Sequence, residues 1–290
     1  MNSSSRKWIF AGFLVYGVAL FLILTVYRLP SEKLLQRGIN QFTGGTVILK
    51  AEKTSLTFPP GYRLQNVEYS ILLSGDSYKN NLKFMNIYPD YLGLLGGYFP
   101  VRMKGLFPRG GFEMEAGTSM LQGSKNGYIT IKASDAYLDD LGFLKLLTGR
   151  SLKGKIKGEV NLRGNLTDYT RIDGDGQLFL EEGTLESQLE TFGLTELPFQ
   201  NLRIFFSVKE GLLSLKEVEL LGPVLSGRIS GDIRLRKPLE QTLLHLTARL
   251  TPDSGSTDRD RTTPFPAGKD GLTVVKVEGV LRNPHVSWGQ

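Results

Sequence analysis

Leu225-Ser226-Gly227-Arg228-Ile229-Ser230-Gly231-Asp232-Ile233-Arg234-Leu235-Arg236 occurs twice in this chain. It aligns without gaps on Leu152-Lys153-Gly154-Lys155-Ile156-Lys157-Gly158-Glu159-Val160-Asn161-Leu162-Arg163, with six of twelve positions identical. Three further pairs keep charge sign or branching (Lys155/Arg228, Glu159/Asp232, Val160/Ile233). In both copies glycine or an aliphatic residue takes every odd place and mostly polar residues take the even ones. That is the period of a strand with one dry and one wet face. Val277-Glu278-Gly279-Val280-Leu281-Arg282 is a shorter third echo. Each copy leads into a turn-like pair: Gly164-Asn165, Lys237-Pro238 and Asn283-Pro284.

Working outward, the strand signal is nearly continuous from 151 to 290: 153–163, 176–182, 201–208, 212–221, 225–236 and 242–250. Residues 251–271 interrupt it with a polar, charged stretch followed by Pro264 and Pro266, which reads as a mobile loop. Leu272–Arg282 reads as a final strand, pairing at a sheet edge near Trp288. Residues 28–150 form a first β-rich half with short helices. Its expected strands are 46–50, 62–73, 112–116 and 127–133, with a corner at Pro59-Pro60-Gly61, because proline cannot donate to a ladder. Residues 82–101 are apolar and rich in Gly, Tyr and Pro, and their centre, Tyr91–Leu95, reads as a helical turn or bend. Asp135–Thr148 reads as a helix capped by Asp135, with Tyr137, Leu141, Leu144 and Leu147 on one face. That stripe either packs on the sheet or forms a lid over a groove. The fold class is therefore mainly β with a few short helices: a large, curved, mostly antiparallel sheet, either an open gutter or a sandwich.

The chain begins differently. After a seven-residue tail (1–7), Trp8–Tyr27 is a run of twenty residues without a charge, bounded by Arg6 and Lys7 before it and Arg28 after it. Twenty helical residues span about the 30 Å of a bilayer core, so 8–27 is expected to be a single transmembrane anchor. A cleaved signal peptide has a shorter apolar region and a small-x-small site, and Thr25-Val26-Tyr27 offers none. Flanking charge does not decide orientation; so short a tail leaves the remaining chain as the exported part. Ser31–Phe42 follows as an amphipathic helix. Lys33, Leu34, Leu35 and Arg37 place it either at the membrane surface or as a cap on the sheet.

Bulk composition narrows the chemistry. Cysteine is absent, which excludes disulfides and thiolate chemistry. The net charge is +6 without a dense basic run. Lys125, Lys153, Lys155, Lys157 and Arg163 are spread along strands, as on a solvated face, the alternative being a phosphate-binding stripe. The only histidines are His245 and His285. No Gly-x-Ser-x-Gly, P-loop or His-Glu-x-x-His motif occurs. Asp173-Gly174-Asp175-Gly176 resembles half of a calcium loop, but its twelfth position is Thr184, and a hairpin turn is the expected reading. No catalytic residue, metal ligand or cofactor is expected, and no nucleic-acid module. The candidate site is instead an apolar surface, either groove or closed core: Ile156, Val160, Leu162, Ile229, Ile233 and Leu235.

Several segments together resemble a known group. The expected span, Leu29-Pro30, Thr43-Gly44-Gly45-Thr46-Val47 and Leu56-Thr57-Phe58-Pro59-Pro60-Gly61 look like the opening of AsmA-like proteins. Gly174–Leu185, Gly222–Gly231 and Gly279–Pro284 are similar to the glycine-spaced strands of their C-terminal modules. At this length, with one span, the chain is most similar to the type II secretion system protein N family. The resemblance implies a single-pass protein of the bacterial inner membrane, periplasmic in bulk. It implies an accessory role in protein export across the outer membrane, with other secretion-system subunits as partners. The same strand grammar occurs in AsmA-like lipid-transfer proteins, which would make phospholipid the partner. Neither role brings catalytic residues with it.

Overall fold

The computed structural model describes residues 47–57, 61–73, 76–90, 98–119, 127–141, 145, 150–165, 168–186, 196–252 and 272–289, with Gly17. The expected anchor at 8–27 and the amphipathic helix carrying Lys33, Leu34, Leu35 and Arg37 lie outside them. So do Tyr91–Leu95, Lys125 and almost all of 251–271. Among the described residues no helix is long and apolar enough to cross a membrane.

The chain forms one antiparallel sheet of 14 strands whose spatial order is its sequence order. The strands are β1 (Val47–Thr57), β2 (Gly61–Leu73), β3 (Asp76–Pro89), β4 (Tyr98–Leu106), β5 (Gly111–Ser119), β6 (Gly127–Tyr137), β7 (Leu152–Gly164), β8 (Ile172–Glu186), β9 (Glu196–Lys209), β10 (Leu212–Leu221), β11 (Leu225–Arg234), β12 (Leu243–Pro252), β13 (Thr273–Val280) and β14 (Asn283–Gly289). A four-residue helix, α1 (Leu138–Leu141), follows β6. Beta1 and β14 remain as edges, so the sheet is an open meander. It passes from the first half to the second without a break, because β6 pairs with β7 from Gly127↔Gly164 to Tyr137↔Lys155.

The two copies of the repeat are β7 and β11. Their shared glycines have a physical reason. Gly158 and Gly231 sit at φ +157 and +135, and a Cβ there would run into the carbonyl oxygens of Gln177 and His245 on the next strand. A side chain would be strained and obstructed at both places. Elsewhere an aromatic ring from the neighbouring strand lies over a glycine: Phe112 over Gly105, Tyr128 over Gly117 and Phe206 over Gly176. Each ring covers backbone that would otherwise be bare, and the missing side chain leaves room for the sheet to bend.

One face carries the core, and Leu64, Val67, Leu180, Leu225 and Val275 belong to a single buried cluster on it. Leu64 and Val67 are 1% and 0% exposed although three residues apart, a spacing that puts strand residues on opposite faces. Asn66 between them has φ 48 and resets the alternation. On the opposite face the charges pair directly across strands: Lys104–Glu113, Lys132–Glu159 and Arg228–Glu219, at 2.6, 3.2 and 3.1 Å.

Four sequence expectations need correction. Asp135 caps no helix: β6 continues through Tyr137, and Asp135 sits on it with φ 54, bonded to Lys155 at 2.9 Å and Lys157 at 3.3 Å. The tolerance of Asp for left-handed φ makes it a bulge residue as readily as a cap. Tyr137 therefore ends a strand; Leu138 in α1 is 3% exposed, and Leu144 and Leu147 of the expected stripe lie outside the described residues. Secondly, Asp173–Gly176 is no hairpin turn but the interior of β8, with Asp173 opposite Arg163 and Gly176 opposite both Val160 and Phe206. Thirdly, 76–89 and 98–106 are strands β3 and β4. Finally, Leu272–Arg282 is not the last strand. The chain turns after Val280, and Asn283-Pro284 opens β14, an edge position where proline is tolerated.

Candidate functional site

The candidate apolar residues fall on the core face, and the ladder register arranges them in rows across the strands. Ile156 stands between Ala136 and Leu180, with Leu202 and Leu220 beyond. Val160 leads through Gly176 to Phe206, Leu215 and Gly231. Leu162 leads through Gly174 to Val208, Leu213 and Ile233, and on to Leu244. Ile229 lies between Val218 and Ala248. Leu235 is just past β11; its amide donates to the Gly211 carbonyl at 2.9 Å, and its side chain packs with Val160 and Leu162 on the Ile172–Phe206–Val208 cluster.

The six are one wall, unevenly covered. Ile156 is 8% exposed, but Val160, Leu162, Ile229, Ile233 and Leu235 are only half-buried. Beside Val160, Ile131 on β6 is 37% exposed. Sequence alternation alone does not single out Ile131, because its exposure depends on what covers the wall and not on which way it points. The wall is therefore driest at the Ile156 row and more exposed at Ile131, Val160 and Leu162, although Phe206, Val208 and Leu244 in the same rows are buried.

The closed end is fixed by α1. Tyr69 Oη on β2 donates to the Asp140 carbonyl at 2.8 Å, and Asn80 Nδ2 on β3 donates to the same oxygen at 2.5 Å. Tyr78 Oη donates to the Asp139 carbonyl at 3.2 Å. Arg109 bonds the Asp140 carboxylate at 3.1 Å and lies 4.1 Å from the centre of the Tyr137 ring. Four strand spacings separate β2 from β6, about 19 Å on a flat sheet. A direct bond from Tyr69 to the segment after β6 therefore requires the first strands to curl around α1. Burial, then the neighbouring Tyr78 and Asp140, push the Tyr69 phenol well above its usual range. Burial, then the hydrogen bond to Glu115, push Tyr128 up to about 12.

Lys153, Lys155 and Lys157 of the candidate stripe each meet a carboxylate. Lys153 meets Glu196 at 3.5 Å, Lys155 meets Asp135, and Lys157 meets Asp135 and Glu181. The Asp135 bond raises Lys155, and Lys155 in turn lowers Asp135. This is a solvated face with internal neutralisation. A shallow hollow of about 250 Å3 on it is lined by Glu159, Asn161, Asp175, Gln177, Phe205 and Lys216. His245 is exposed on β12, opposite Asp232 and Glu278. Among the described residues no group of His, Cys, Asp and Glu could hold a metal ion. Comparison of the chain with protein families, with curated proteins and with solved structures finds no match in any of the three.

Proposed function

We propose that the chain is a non-catalytic accessory component of type II protein secretion, anchored in the bacterial inner membrane by Trp8–Tyr27 and acting in the periplasm through contacts with other secretion-system subunits. The observation that carries this reading is the unbroken 14-strand meander with a free edge at each side. An exposed edge offers a row of unpaired backbone donors and acceptors to a partner strand. Lys50, Glu52 and Lys53 on β1 discourage such pairing, whereas β14 carries Val286 and Ser287 and is the better acceptor. The segments similar to the type II secretion system protein N family, Gly174–Leu185 and Gly222–Gly231, lie on β8 and on the turn and strand of β11, where that resemblance expects strands. Deleting the gene is expected to leave exported enzymes trapped in the periplasm; unchanged secretion removes the reading.

One observation favours a second reading, an AsmA-like lipid-binding or lipid-transfer protein that contributes to outer-membrane homeostasis. The partly exposed apolar residues Ile131, Val160, Leu162, Ile229, Ile233 and Leu235 on one face would be the groove that shelters acyl chains. Mass spectrometry of the purified chain after detergent exchange distinguishes the two. Stoichiometric phospholipid that is lost in Ile131→Asp supports lipid carriage, and a lipid-free chain removes it.

A further inference from the structure

Among the described residues eight large apolar side chains are more than a third exposed, and six of them share one end of the ladder. Val280 is at the end of the sheet where β13 turns into β14, and Ile131 is on the wall. The other six, Ile48, Leu72, Leu185, Leu221, Val224 and Leu272, are 36% to 50% exposed. The register puts all six at the opposite end. Ile48 and Leu72 flank the pair Val47↔Ile71, and Leu185 pairs with Leu152. Leu221 pairs with Ser226 and Val224 is in the turn beside it, while Leu272 precedes the pair Leu250↔Thr273. At this end the division into a dry and a wet face breaks down. Leu221 follows the buried Leu220 and so lies on the wet side, and Ile48 precedes the core-side Leu49. Apolar groups on both sides of a rim contribute nothing to the core. The charges that share the rim are largely neutralised in pairs, Arg109 with Asp139 and Asp140, and Lys153 with Glu196.

We propose that this rim is a membrane-docking surface whose occupant is the headgroup and upper acyl region of a lipid bilayer. The chain itself indicates the occupant. Beta1 begins at this rim, at Val47, and nineteen residues separate it from the run Trp8–Tyr27. In this proposal the strands start from the membrane side, and the apolar rim is the end held against the bilayer. Partly buried apolar groups at an interface add affinity in proportion to their area, and an anchored body has lost most of its freedom to face elsewhere. The proposal rests on the anchor at 8–27 and not on the secretion role.

The absence of cysteine makes the test direct. Single cysteines replace Leu72, Leu221 and, as the distant reference, Val280 in the full chain. Each is labelled with an environment-sensitive nitrobenzoxadiazole dye and reconstituted in vesicles of phosphatidylethanolamine and phosphatidylglycerol, with and without headgroup-level nitroxide lipid. The expected result is emission at 72 and 221 that is blue-shifted and quenched by nitroxide several-fold more than at 280. Equal quenching at 221 and 280 overturns the proposal. Self-quenching that grows with protein density, without nitroxide quenching, also overturns it and assigns the rim to a second copy of the chain. A chain that does not float with vesicles removes the anchor and the proposal together. Rim quenching in a protein whose deletion leaves secretion normal removes only the secretion role.

Discussion

Substitution by aspartate at three positions tests the two-faced ribbon at its most exposed point. Ile156 is 8% exposed, Ile229 is half-buried, and the Arg228 side chain is 78% exposed. Ile156→Asp loses the burial of an isoleucine, about 1.5–3 kcal/mol. It also places a carboxyl between Leu180 and Ala136, where no donor is in register to receive it. A polar group buried without a partner costs at least about 2 kcal/mol more, even when the acid is neutralised by taking up a proton. The sum is about 4 kcal/mol or more, against a total stability on the order of 5–15 kcal/mol. Ile229→Asp loses part of that burial and leaves its carboxylate partly in water, so about half the penalty is expected.

Arg228→Asp gives up an exposed ion pair with Glu219, worth about 0–1 kcal/mol, and sets a like charge opposite it, while Arg249 on the other side is an opposite charge. Its cost should be about 1 kcal/mol or less. Urea unfolding of the full chain in detergent micelles, followed by the far-ultraviolet strand signal, reads the order Ile156, Ile229, Arg228 as falling midpoint loss. An Arg228 variant as damaged as the Ile156 variant would refute the assignment of faces on which every row of the wall depends.

Gly231→Val forces a branched side chain onto a backbone at φ +135 against the His245 carbonyl. It should cost about 1–3 kcal/mol, while Ser230→Val next to it, exposed, should cost under about 0.5 kcal/mol; thermal melts of the pair separate the two. Tyr69→Phe removes one of two donors to the Asp140 carbonyl and should cost about 1 kcal/mol, with faster amide exchange across α1 and little change in β10–β14. Asp168 is held down to about 2, first by the Thr170 hydroxyl and then by Lys237. Its folded pKa is depressed, so its contribution is complete above the unfolded carboxylate range, near pH 4, and is lost as pH falls toward 2. Melts at pH 5 and pH 2.5 should show an acid loss that is smaller in Asp168→Asn. Val286→Pro, if β14 is where a partner strand adds, should abolish capture of secretion-system subunits by the full chain while leaving its unfolding midpoint within about 1 kcal/mol, because an edge proline removes few internal ladder bonds.

What was legible in the sequence was what a single strand determines for itself. Beta7 and β11 are readable because alternation is a property of consecutive residues, and the six wall residues share a face because a two-residue period admits no other arrangement. Asp135 misled because a cap and a bulge make the same demand, a short polar side chain that tolerates unusual φ, and only the partner strand with Lys155 and Lys157 decides between them. Asp173–Gly176 reads as a turn for a similar reason: two glycines in four residues suggest reversal until Phe206 arrives from β9 to lie over Gly176. Beta3 and β4 were hidden by Pro89, Tyr98 and Pro100 at their ends, although proline at a strand terminus interrupts little.

The same distinction explains the rim. Leu221 and Ile233 are both aliphatic residues on well-formed strands, and no local pattern separates them. Leu221 differs only in its position along the ladder, at the end where β1 starts, and that is a relation among fourteen strands. Exposure at a strand end is common in proteins and needs no explanation when it is scattered. Here six such residues converge on one end, the end at which β1 begins. Gathered on one rim, they give the sheet two unlike ends, and the more exposed part of the apolar wall, at Ile131, Val160 and Leu162, lies toward the other one.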